Sequence, residues 1–205
     1  MENLTSIEEQ LKGMGRITLS MLKQTFAGFM EHDRDLLSEV LKEEQKLNDA
    51  EKSIATFFAG ITKTKISPAQ KKNILRIANI ALDLEQAGDY IKDMVERIEI
   101  KIEDKLLFDD TAVDEYKHLY KAVELELAAT VKSLDSGDKK LAKRVLEHEG
   151  YIDRLAKKYR DSHTKRLLSG VCEPRSCNMF INLLDFTAQI SRHSKAIAKN
   201  ILLLK

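Results

Sequence analysis

The stretch Val40-Leu41-Lys42-Glu43-Glu44-Gln45-Lys46-Leu47-Asn48 decides the reading of this chain, because it returns as Val145-Leu146-Glu147-His148-Glu149-Gly150-Tyr151-Ile152-Asp153. The offset, 145 − 40 = 105 residues, is close to half of the 205-residue chain. Each copy places a carboxylate, Glu44 or Glu149, where an apolar stripe should continue. Desolvating an unpaired carboxylate is costly, so each needs a partner or a cation. The interruption therefore marks a repeat and a candidate site at once.

Outward from Glu44 the apolar spacing is helical. Leu37, Val40, Leu47, Ile54, Phe58 and Ile61 form one stripe, with Glu44 and Glu51 in its gaps. Before it run Leu4, Ile7, Leu11, Met14, Ile17, Met21, Leu22, Phe26 and Phe29. After it run Ile74, Ile77, Ala81, Leu84, Gly88, Ile91, Val95, Ile98 and Ile102. Three further helices are expected from near Thr111, Asp138 and Pro174. Ser67-Pro68 reads as a cap followed by proline at the first helical position. Asp33, Asp109 and Asp138 read as further caps, and Ser169-Gly170 as a stop before Pro174. No window alternates with period two, so no sheet is expected.

Short connections make successive helices antiparallel neighbours. The expected fold is all-α: two tandem antiparallel three-helix bundles related by a pseudo-repeat, with residues 1–105 and 106–205 packed as one elongated unit. Asp33/Asp138, Leu36/Leu141, Val40/Val145, Glu44/Glu149 and Leu47/Ile152 carry the repeat.

Composition excludes more than it assigns. Hydrophobic residues make up 43% of the chain, enough for a real core. Lys+Arg number 34 against Asp+Glu 33, so a net charge of +1 gives no bulk attraction to nucleic acid. No apolar run approaches the roughly 18 residues that span a bilayer. The start lacks a signal peptide's basic flank and apolar core. Cys172 and Cys177 have no matching pair elsewhere, which argues against a disulfide scaffold and a four-ligand zinc site and fits a reducing cytosolic setting.

The acidic positions pair along helices. Asp153 lies one turn after Glu149, and Asn48 holds the same slot after Glu44. Glu85 and Asp89 repeat the spacing on the next helix, with Ala87 and Gly88 between them to let a neighbour approach. Carboxylates one turn apart, facing another acidic helix, suit a divalent cation. The metal candidates are Glu44, Asn48, Glu85, Asp89, Glu149 and Asp153. A solvated acidic face is the plainer reading of any one such pair.

These residues resemble the PhoU family. Its acidic-x-x-aliphatic-Asp motif is matched by Glu44-Gln45-Lys46-Leu47-Asn48 and Glu149-Gly150-Tyr151-Ile152-Asp153, and its Leu-Glu-Arg-Ile-Gly-Asp-like motif by Leu84-Glu85-Gln86-Ala87-Gly88-Asp89. Ile102–Phe108 and His163–Cys172 look closest to the cytoplasmic C-terminal PhoU-like domain of bacterial sodium/phosphate cotransporters. That branch carries a second acidic motif in its last helix, but here Ala188 and Arg192 fill the Glu and Asp slots. Arg192 could replace a metal by pairing with Glu149 or Asp153, which leaves the first bundle the better candidate site.

The resemblance implies a regulatory, non-enzymatic domain of phosphate uptake at the inner face of the cell membrane. It implies action by contact with a membrane phosphate transporter, in cis or in trans, tuned by a divalent or iron-type metal ion; a homodimer is an open arrangement. On the cotransporter reading Met1 is not the native start. A free-standing PhoU-type signalling regulator is one alternative, and a metal-binding or di-iron bundle the other. The latter needs two Glu-x-x-His motifs, and the chain offers one, Glu115 to His118.

His148 and His163 read as surface or internally satisfied histidines. Cys172 and Cys177 read as free, partly buried thiols rather than a metal site or an oxidising pair. Two basic clusters, Lys139 to Arg144 and Lys157 to Arg166, could face anionic lipid or a transporter, though interspersed acids make a solvated face at least as apt. No nucleophile–base pairing or phosphate-cradling glycine loop is present.

Overall fold

The computed structural model describes residues 4–61, 66–148 and 150–204. Among them the chain forms seven helices and no strand: α1 Leu4–Glu31, α2 Arg34–Ile61, α3 Pro68–Glu103, α4 Asp110–Ser136, α5 Lys139–Glu147, α6 Tyr151–Leu168 and α7 Pro174–Leu203. At 1.5 Å per residue the 36 residues of α3 run about 54 Å, which sets the long axis.

The helix starts follow local chemistry. Ser67 accepts from Gln70 N–H while the Gln70 side chain accepts from Ser67 N–H, and Pro68 opens α3. Asp33 Oδ1 accepts from Asp35 and Leu36 N–H ahead of α2, Asp109 caps α4 and Asp138 caps α5. Each side chain satisfies a first-turn N–H that has no partner inside the helix.

One sequence expectation changes. The single helix expected from Asp138 is two, α5 and α6, turned at Gly150 with φ 73°. Glycine reaches that left-handed region without a Cβ clash. The chain thus packs as α1–α2–α3 and α4–(α5–α6)–α7. The broadest interface joins α3 to α7, and α1 also touches α4, so the two repeats meet along their lengths. The interface includes His193 Nδ1 3.0 Å from Asp83 and the His193 ring stacked on Tyr90.

The stripes become one core. Leu37, Val40 and Leu47 from α2, Leu84, Ile91 and Val95 from α3, and Leu183, Ile190 and Ile197 from α7 are fully buried. The α2–α3 approach is very close at Gly88: a Cβ there would stand 2.3 Å from Leu47 Cδ2. That is the close approach foreseen from Ala87-Gly88.

Candidate functional site

Glu44 continues the stripe that buries Leu37, Val40 and Leu47, and so its side chain is carried inward, 5% exposed. Two donors hold its Oε1: Asn48 Nδ2 at 3.0 Å from the next turn and Lys92 Nζ at 3.1 Å from α3. The ammonium is itself 40% exposed.

Glu85 and Asp89 of α3 come to the same place. Burial, then Asp89, Glu51 and Glu44, hold the Glu85 carboxyl above the usual range. Burial and then Glu44 raise Asp89 as well, with Lys92 opposing. The structure thus gathers Glu44, Asn48, Glu85 and Asp89, where burial and neighbouring carboxylates outweigh the two lysines, Lys92 acting on Asp89 and Lys52 on Glu85. Asn48 Oδ1 is buried without a hydrogen-bond donor, which is unusual for an amide oxygen. The donor set is entirely oxygen, the chemistry of a hard cation. These ligand atoms do not all lie within 4.8 Å of one another. The three carboxylates are therefore not drawn into a closed cage.

The second half is built differently. Glu149 lies outside the described residues. Asp153 is exposed, and its Oδ1 accepts from Arg192 Nε at 3.1 Å and Nη2 at 2.8 Å, the pairing anticipated from the filled motif slot. Deeper in, Glu126 of α4 accepts from Ser191 at 2.6 Å and lies 3.6 Å from Lys195 Nζ. Burial raises the Glu126 carboxyl, while Ser191 and Lys195 pull it back.

Sequence reasoning missed Lys92, Glu126 and Lys195. A signal for the lysines was present: Lys92 follows Leu84 by eight residues, as Lys195 follows Thr187 at the matching motif position. Glu126 offers no such cue, because its motif neighbours are ordinary helix formers.

The remaining candidates separate. Glu115 accepts from Arg166 at 2.7 Å, whereas His118 contacts the Tyr159 hydroxyl, so Glu115-x-x-His118 serves two different partners. His148 lines a groove of about 570 Å³ between α4 and the α5–α6 elbow, with Leu125, Arg144 and Tyr151. In the basic clusters, Lys139 donates to the α7 C-terminal carbonyls and Arg160 pairs with Asp185. Among the described residues no helix is long and apolar enough to cross a membrane.

The family model described as the PhoU domain matches the chain twice, over residues 11–98 and 116–201. Among solved structures, PhoU from Pseudomonas aeruginosa is similar at 19% identity and TM-score 0.89, over 98% of this chain and 96% of that one. The phosphate transport system regulatory protein PhoU from Streptococcus pneumoniae is similar at 11% identity and TM-score 0.83, over 98% and 94%. At such identities the likeness is one of fold. No curated protein sequence matches the chain.

Proposed function

The chain belongs to the PhoU family, and on that premise we propose that it is a phosphate-signalling regulator acting by contact with a membrane phosphate transporter from the cytoplasmic face. The observation that carries this is the pair of family repeats, each contributing one helical bundle to a single core. The free-standing form is preferred, because both similar solved structures are described as PhoU proteins, one as a phosphate transport system regulatory protein. The cotransporter-tail reading rests on Ile102–Phe108 and His163–Cys172 alone, and the full reading frame decides between them. Complementation tests the function: in a cell lacking its own regulator, the chain should restore phosphate-dependent control of uptake. Unchanged uptake despite normal protein levels would sink it.

The first bundle is the cation-responsive part. Glu44, Glu85 and Asp89 would hold a divalent cation, with Asn48 Oδ1 as neutral ligand. Bound there, the cation would neutralise the α2–α3 seam. Metal analysis of the purified protein, with Glu85→Ala and Glu149→Ala variants, checks the assignment. Binding should vanish in the first variant and survive in the second; loss only in the second would reject it.

A further inference from the structure

A separate cluster forms where α7 begins. His163 Nε2, Cys172 Sγ and Cys177 Sγ all lie within 4.8 Å of one another. Cys172 is half-buried in the bend between α6 and α7, while Cys177 and His163 are each 1% exposed. The His163 ring packs on Phe180, centroids 4.2 Å apart.

One nitrogen and two sulfurs suggest a soft metal, but the hydrogen bonding argues otherwise. Arg166 Nη2 lies 2.8 Å from His163 Nδ1. A guanidinium only donates, so Nδ1 must accept. The neutral ring then carries its proton on Nε2, which faces Cys172 Sγ at 3.8 Å. A metal-bound histidine needs the reverse, a lone pair toward the metal and an acceptor behind the other nitrogen. Burial and Arg166 hold His163 toward the neutral form. The Nε2–H group is thus aimed at the Cys172 sulfur, and Arg166, behind the ring, is paired with Asp109 and Glu115.

We propose that Cys172 and Cys177 are a peroxide-reactive dithiol, with Cys172 as the attacking thiolate and Cys177 as the resolving thiol. The Cys172 sulfur attacks one peroxide oxygen, the O–O bond breaks, and the sulfur becomes a sulfenic acid. The departing hydroxide takes a proton from solvent and leaves as water. Cys177 then gives up its proton, its sulfur attacks Cys172, the S–O bond breaks, and a second water leaves. Two thiols lose two electrons and hydrogen peroxide becomes two waters. The sulfurs must close to about 2 Å, and the bend at Gly170 to Glu173, with exposed Val171, is the segment that gives. Burial first, then Cys172, pushes the Cys177 thiol up to about 11, so it waits protonated. His163 is a positioning residue here.

The test treats the reduced full chain with one equivalent of hydrogen peroxide, followed by thiol counting and intact mass. Both thiols should disappear together, with a mass loss of two hydrogens. In Cys177→Ser, dimedone should capture a sulfenic acid at Cys172. In Cys172→Ser, Cys177 should oxidise about tenfold more slowly, as a buried thiol does. His163→Ala should slow Cys172 alkylation, and His163→Gln, which keeps an N–H donor, should restore part of the rate; because that ring is buried, the two cysteine variants carry the test if either misfolds. Two results would overturn the proposal. One is both thiols staying reduced under peroxide. The other is stoichiometric zinc held by both cysteines in the protein purified under reducing conditions.

Discussion

In the first half Lys92 faces Glu44 and Asp89 and Lys52 acts on Glu85, both outweighed by the neighbouring carboxylates, whereas in the second Lys195 and Arg192 face Glu126 and Asp153. Lys92 and Lys195 hold equivalent motif positions, yet Lys195 is 11% exposed against 40% for Lys92. Nearly the same helices therefore carry different charge balances. One seam is left short of positive charge and the other supplies it from its own side chains. A repeat thus preserves packing more faithfully than electrostatics, because the stripe fixes the fold while a few polar positions fix the potential.

The largest effect should come from removing the buried cation of the second half. Lys195→Ala leaves Glu126 without its ion partner in a dry setting and should cost about 3 kcal/mol in urea unfolding. Lys92→Ala should cost under about 1 kcal/mol, since the ammonium is 40% exposed and Asn48 still donates to Glu44. Equal losses would erase the contrast. Next comes Gly88→Ala, whose methyl group meets Leu47 Cδ2; a loss of about 2 kcal/mol is expected, by overpacking alone. It should appear with or without divalent cation, separating packing from charge. Arg192→Asp restores an acidic motif slot, and calorimetric titration should then show a second, weaker cation equivalent; its absence would mean that the second half is closed for other reasons.

The smallest effect is a pH dependence. Glu85 has a raised folded pKa, so the folded state holds its proton more tightly than the unfolded one. Its contribution is fully present below the ordinary value of 4.5 and is lost as pH rises through the raised value. Glu85→Gln should therefore slightly raise the melting temperature of the cation-free protein at pH 7. It should make no difference below 4.5. A destabilised variant at pH 7 without cation would show that Glu85 is not repelled.

Much of this was legible in the sequence, for definite reasons. The stripes were readable because burial repeats with the helical period, and the caps because Ser67, Asp33, Asp109 and Asp138 act on N–H groups two or three residues away. The Asn48–Glu44 contact is also local. The Asp153–Arg192 pair could be anticipated because a basic residue sits in an acidic motif slot. The α5–α6 break was not seen, since Gly150 sits inside the repeated stretch and the repeat argued for continuity. Nor was the meeting of His163 with Cys172 and Cys177, which depends on how the loop after α6 folds back. Neutral spacing says nothing of such a return.

The contact of Gly88 with Leu47 has a kinematic consequence. Two helices this close, with a leucine seated where a side chain is missing, cannot slide past one another by a turn of about 5.4 Å without ejecting that leucine. They can still tilt about the contact as a hinge pin. Because Glu44 and Glu85 each lie one turn or less before this pin on their own helices, charge neutralisation at the seam would be read out as an angle between α2 and α3, not as a shift along them.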